Sequence, residues 1–424
     1  MSVLNYKSLL LGAAAAAAAT TAQAADLPVA PEPVDYVRVC DAYGARFYYI
    51  PGTETCLRVG GRVRTQFVVN NVMNDGAWGD RDEDGYSWRT QGYLYLDART
   101  ATEFGVLRAF VELSQRAEND TESLDFGSTY IQWGGLTAGY NNSNFDIFTG
   151  QTFVGVVSRN WSDTTLNQIA YTAAFGNGFS ATFALEDRSS RDQGSINKVS
   201  TSTETLTNTT FTTLSSDSIY GGTRMPDVVA ALGVSQGWGS AQLSGALHQV
   251  YPDGVINKVT GDAEDVMGWA IGAGASVNLP MLSPGSNIFF QGFYADGAMS
   301  YIGGSWAHNS SSIALSDFSI DANGGTDTRT GYSLSAGINY QATPTVALAL
   351  DGSYLKASDA GSATACENCD LDDVTRWAID GSVLWTPVEG FEIGADVGYA
   401  NTDWGGSTAD YEDLLFGVRM QRTF

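Results

Sequence analysis

LRVGGRVRTQFVV, Leu57 to Val69, decides how this chain is read. Leu57, Val59, Val63, Phe67 and Val69 share one parity, and Arg58, Arg62, Arg64 and Gln66 occupy the other. A strand sends successive side chains to opposite faces, so this segment, if extended, is apolar on one face and strongly basic on the other. The inner face of a soluble sandwich has little room for three arginines. A barrel whose apolar face meets lipid and whose interior is wet accommodates them.

Working outward, the same alternation recurs to the end of the chain. It predicts strands at 57–70, 88–100, 106–118, 125–133, 136–142, 166–175, 178–188, 225–235, 240–250, 266–278, 287–296, 329–341, 346–357, 374–386, 391–401 and 412–424. Phe179, Ala181, Phe183 and Leu185 against Ser180, Thr182, Ala184 and Glu186 is a clear case. These segments have the length that a tilted membrane strand needs. Short turns at Gly134-Gly135, Gly176-Asn177-Gly178, Gly237-Trp238-Gly239, Thr343-Pro344-Thr345 and Pro387 to Gly390 alternate with longer polar stretches, the longest at 189–224 and 297–328. Short turns on one side and long loops on the other mark barrels of the outer-membrane type. The fold expected is all-β: a transmembrane antiparallel barrel of sixteen strands over 57–424. Trp133, Tyr140, Tyr171, Phe179, Tyr340, Trp385, Phe391 and Tyr399 fall near strand ends on the apolar parity, where an aromatic girdle belongs.

Composition agrees. Charged residues are 16% of the 424, below the roughly 25% of a soluble domain, and mean hydropathy is only -0.11. The formal net charge of -25 argues against a nucleic-acid partner, because phosphate is repelled. Lys7, the apolar run Leu9 to Ala19 and Ala22-Gln23-Ala24 read as a signal peptide over 1–24, cleaved after Ala24. No later apolar run is long enough for a membrane helix. A Pro-rich periplasmic lead-in follows, and 25–56 is read as a segment closed by a Cys40–Cys56 disulfide around the turn at Pro51-Gly52. Cys366 and Cys369 form C-x-x-C among Glu367, Asp370, Asp372 and Asp373, which oppose a low thiol pKa. With only His248 and His308 available as soft partners, a loop-tip disulfide is preferred to zinc.

Several stretches resemble the alphaproteobacterial general porin family: YVRVCDAYGARFYYIPGTETCLR at Tyr36 to Arg58, KSLLLGAAAA, PDVVAAL at Pro226 to Leu232, the turn Gly237 to Ser240, and the ending Arg419 to Phe424. A terminal Phe closing an amphipathic strand is similar to the signal read by the outer-membrane assembly machinery. The resemblance implies a sixteen-stranded homotrimer in the outer membrane of a Gram-negative bacterium, in contact with lipid and lipopolysaccharide. It implies passive diffusion of ions and small hydrophilic solutes, without cofactor. It also implies that the third external loop, about 143–165, folds into the lumen. Phe145, Ile147, Phe148, Phe153 and Val154 suit a loop packed on an inner wall.

A pore selects by diameter and by rings of charge. Arg58, Arg62, Arg64, Arg89, Arg99, Arg108 and Arg116 lie on lumen parity of the first three strands. The expected constriction sets Arg62, Arg64, Arg99, Arg108 and Arg116 against Asp146 and Asp163 of the inward loop, with Asp97 and Glu112 as rival wall partners. Tyr93 and Tyr95, also on lumen parity, are the residues that a sugar-selective channel would use. Asp80, Asp82, Asp84 and Gly85 match half a calcium loop, but Gln91 stands where the closing Glu belongs, and the stretch is read as an acidic external loop. Neither H-E-x-x-H nor G-x-S-x-G occurs, so an enzyme or adhesin on a barrel is the weaker alternative.

Overall fold

The basic-apolar segment lies within the first strand of a closed antiparallel barrel. The computed structural model describes residues 38–73, 76–204, 209–218, 220–252, 264–309, 311–320, 325–358, 373–405 and 410–424. The wall runs β1 (Cys56–Val69), β2 (Tyr86–Thr102), β3 (Gly105–Glu118), β4 (Thr121–Trp133), β5 (Leu136–Asn142), β6 (Thr165–Gly176), β7 (Phe179–Glu186) and β8 (Asp227–Gln236). It continues through β9 (Gly239–Val250), β10 (Val266–Asn278), β11 (Asn287–Asp296), β12 (Thr330–Thr343), β13 (Val346–Ala357), β14 (Val374–Val388), β15 (Phe391–Trp404) and β16 (Tyr411–Thr423). Each strand pairs with its neighbour in sequence. Closure is made by β16 on β1, with Phe67 opposite Val418 and Arg62 opposite Thr423. The short strand Tyr48–Tyr49 adds to β1, so the sheet counts seventeen strands, all but that one forming the wall.

Side-chain parity follows the sequence pattern. On β1, Val59 and Val63 are 43% and 51% exposed on the outer surface, whereas Gln66 is 8% exposed inside. On β9, Leu243 and Leu247 point outward while Ser244, Ala246 and His248 are buried within. Such a band of exposed leucine, valine and phenylalanine is what a lipid-facing wall presents. In water it would be an aggregation site. Trp133, Phe179 and Trp385 lie exposed near strand ends, as a girdle requires, whereas Tyr171, also exposed, lies mid-strand.

The long-short rhythm of the connections has two departures. The third shrinks to Asn119 and Asp120, because β4 begins at Thr121, ahead of the expected 125, and Asn119 adopts the left-handed conformation of a tight turn (φ 50°). The tenth, 279–286, is a longer turn on the short-turn side. The expected signal peptide at 1–24 and the Cys366–Cys369 pair lie outside the described residues. Cys40 and Cys56 are bonded, with Cα atoms 6.0 Å apart. Cys56 is already the first residue of β1, and the segment folds back so that Phe47 is covered by the guanidinium groups of Arg58 and Arg99 at 5.2 and 5.0 Å. The long external connections also pack inward. Met299, Tyr301 and Ile302 of the 297–329 connection are fully buried, joined in one apolar cluster with Phe145, Trp161, Phe289 and Phe293.

Candidate functional site: the lumen constriction

The connection 143–164 between β5 and β6 lies against the inner wall formed by β11 to β16. Its polar backbone needs acceptors, and the wall supplies three carboxylates. Asp351 on β13 accepts from the Gln151 and Thr152 N–H groups at 2.6 and 2.9 Å. Asp396 on β15 accepts from Val154 and Gly155 at 2.8 and 2.9 Å. Asp380 on β14 accepts from the Val157 N–H at 3.3 Å and pairs with Arg159 at 3.2 Å. In return Arg376 donates to the Ser158 carbonyl and Asn160 Oδ1, each at 2.8 Å, and Arg419 donates to the Phe153 and Val154 carbonyls. The loop is also held by contacts with the 297–329 connection. Asn160 Nδ2 donates to the Gly303 carbonyl at 2.9 Å. Gly303 has φ 71°, and a Cβ there would run into the Trp161 backbone, so glycine is required on both counts.

These anchors were missed by parity reasoning, although a signal was present. Asp351 and Asp380 are cross-strand partners, and like charges directly opposite destabilise a sheet unless something satisfies both. The loop amides and Arg159 do so.

The arginines expected at the constriction sit on the facing wall, but their pairing differs from the expectation. Asp97 collects Arg99 at 2.7 Å, Arg108 at 2.9 Å and Arg58 at 3.5 Å. Arg116 lies 3.8 Å from Glu118 and 3.5 Å from Asp125. On the loop, Asp146 accepts from Ser162 at 2.5 Å, from the Thr164 N–H at 2.7 Å and from Arg191 at 3.0 Å. Asp163 lines a recess with Arg159, Trp161, Ser300 and Ser305. The ion pairs of Arg99, Arg108 and Arg116 thus run along the wall, with Asp97 taking the part of the rival partner, and Asp146 pairs with Arg191. A loop carboxylate that can close its own turn and reach Arg191 gains more from those short bonds than from an arginine across open water. Arg62 and Arg64 stand apart. Arg64 donates to Gln91 at 2.8 Å, while Arg62 has no carboxylate within ion-pair distance among the described residues and lines a cavity of about 300 Å³ with Gln151, Phe153, Glu392 and Arg419. Across β1 to β3, seven arginines share the lumen face with Asp97, Glu112 and Glu118.

Above the constriction, His248 is enclosed by Asp227 at 2.9 Å, Tyr220 at 3.1 Å and, farther off, Asp192 and Asp317. This group ties the 187–226 and 297–329 connections to the barrel rim. The described residues contain no acidic or histidine cluster suited to a metal ion.

Comparison with known proteins agrees with this architecture. The family model described as "Porin subfamily" matches residues 26–414. Porin Omp2b of Brucella suis is 33% identical over 99% of this chain and all of that protein. Among solved structures, the outer membrane channel DcaP of Acinetobacter baumannii superposes with a TM-score of 0.64 at 16% identity, covering 89% of this chain and 99% of that one. OmpT of Vibrio cholerae, in a trimer form, gives 0.50 at 10% identity, covering 88% of this chain and all of that one. A wet, arginine-lined barrel narrowed by a loop and matched along almost its whole length is thus accounted for: the chain belongs to the Porin subfamily, as an outer-membrane channel for passive diffusion of small solutes.

Proposed function

We propose that the constriction lies between the loop segment Gln151–Val154 and the wall bearing Arg62 and Arg64, and that it passes small anions in preference to cations. The observation that carries this reading is an asymmetry of charge. The carboxylates of the far wall, Asp351, Asp380 and Asp396, are 0%, 0% and 5% exposed beneath the loop. The basic wall faces the water with seven arginines to three acids. A field of one sign focused in a narrow low-dielectric passage raises the local concentration of counter-ions. Arg99, Arg108 and Arg116 add to this field from their wall ion pairs, while Asp146 and Asp163 shape the loop rather than face the arginines. Acids farther from the constriction than a Debye length, about 8 Å at physiological salt, contribute little there, so the net charge of -25 does not set the selectivity. Trimeric assembly, in contact with membrane lipid and lipopolysaccharide, belongs to the same reading.

Reversal potentials of the purified protein in a planar bilayer under a steep KCl gradient test it. Chloride preference is expected, and Arg62→Ala with Arg64→Ala should move the potential toward that of a non-selective pore. A wild-type reversal potential in the double variant would refute the assignment.

A further inference from the structure

Four aromatic rings form a continuous strip on the basic lumen wall. Tyr93 and Tyr95 on β2 have centroids 6.2 Å apart with planes at 27°. Tyr95 meets Phe110 on β3 at 6.4 Å and 16°, and Phe110 meets Tyr130 on β4 at 5.3 Å and 28°. Register places all four inside: Tyr93 is opposite Arg62, and Phe110 is opposite both Asp97 and Tyr130. A packing role would bury such rings, yet each of the four stays partly exposed. The nearly parallel, stacked rings present their edges and part of their faces as an apolar ribbon along a wall that is otherwise charged. Leaving that surface wet costs free energy, which a ligand with a flat face recovers.

Guanidinium groups are interleaved with the strip. Arg62 lies 4.0 Å and Arg64 5.1 Å from the Tyr93 centroid, and Arg108 lies 5.1 Å from Phe110 and 5.4 Å from Tyr130. Their donors are not equally free. Arg108 is committed to Asp97 and Gln132. Arg64 makes one hydrogen bond, to Gln91, and Arg62 makes none among the described residues. Open donors therefore gather at the Tyr93 end, where the loop narrows the path, and the partly exposed rings of Tyr95, Phe110 and Tyr130 extend away from them toward the short-turn mouth.

From this juxtaposition we infer that the strip is a binding track for small cyclic carboxylates. The ring of the solute lies on Tyr93, Tyr95 and Phe110, and its carboxylate is held by Arg62 and Arg64. A planar carboxylate suits the arginine fork, and either a sugar ring's C–H face or an aromatic face suits the strip. An uncharged ring lacks the first contact and an acyclic carboxylate lacks the second. The inference rests on the arginine-lined path proposed above and adds a ligand class to it.

The test uses the full-length protein in a planar bilayer at matched ionic strength. Block of the KCl current is titrated with glucuronate, benzoate, acetate and glucose. Half-block by glucuronate, by benzoate or by both is expected at clearly lower concentration than by acetate or glucose. Whichever ring acid blocks identifies the saturated or the aromatic source. Tyr93→Leu with Tyr95→Leu, each block scaled to that variant's own open current, should raise the half-block concentration about fivefold by loss of stacking. Ring acids no better than acetate in the wild type would overturn the inference without recourse to any variant, as would an unaltered half-block in the leucine protein. A protein that fails to conduct KCl would instead sink the channel path itself, so the two failures are separable.

Discussion

Replacing Asp351 and Asp396 together by alanine should release the constriction loop. The two carboxylates accept four backbone N–H bonds, from Gln151, Thr152, Val154 and Gly155, at 2.6 to 2.9 Å. A hydrogen bond to a charged group contributes about 1.5–3 kcal/mol, so the pair holds on the order of 6 kcal/mol or more of docking free energy if the amides stay dry. They do not stay dry, because a detached loop is hydrated in the lumen. The net loss is then nearer 3 kcal/mol, roughly a hundredfold shift toward the detached state. Asp380 and Arg376 still hold the segment from its other end, and Arg419 still donates to the Val154 carbonyl, so the loop should flicker rather than leave. Single-channel recording should give a larger mean conductance with open-channel noise, and liposome swelling should admit larger saccharides. Asparagine at the same positions keeps an oxygen acceptor and should give a smaller effect. Conductance, noise and size cut-off all equal to wild type, in a protein that retains its folded barrel, would refute the claim that these carboxylates set the aperture.

Two further outcomes follow from the same geometry. Leu350→Arg, on the lipid face of β13 where the residue is 46% exposed, should destabilise the folded barrel in membranes by about 2–4 kcal/mol if it lies at mid-bilayer depth. Ala349→Arg points one residue away into the lumen and should change conductance with little loss of stability; equal destabilisation of both in urea titrations would contradict the parity assignment. Burial pushes the Asp192 carboxyl up to about 6, with Arg188 and His248 pulling the other way and Asp317 and Asp227 adding to the rise. A solvated aspartate titrates near about 3.9, so the docked 187–226 connection binds this proton more tightly, and docking loses that contribution as pH rises through about 6. Limited proteolysis of this connection, calibrated for protease activity, should be slower at about pH 5 than at about pH 8, with Asp192→Asn reducing the difference.

How much was legible from the residues alone depends on the range of the interactions involved. The β10, β11 and β13 boundaries agree with the alternation at both ends, because lipid outside and water inside enforce a period of two. The third connection was misjudged because the polar run through Thr121 to Leu124 reads equally as loop or as a strand projecting above the bilayer. The arginine wall was visible by parity on β1 to β3, but its partners were not. Asp97 reaches Arg99 and Arg108 within one pair of neighbouring strands, whereas Asp146 finds Arg191 across a connection of unforeseeable path.

By itself, then, the order of residues determined the barrel, its closure and the chemistry of its two faces, since each rests on solvent contact repeated every second side chain. Only the tertiary structure decided which wall receives the loop, which carboxylates are hidden beneath it, and that Tyr93, Tyr95, Phe110 and Tyr130 stack in one row. Those facts depend on contacts between positions up to hundreds of residues apart, such as Thr152 with Asp351, and no local periodicity encodes them.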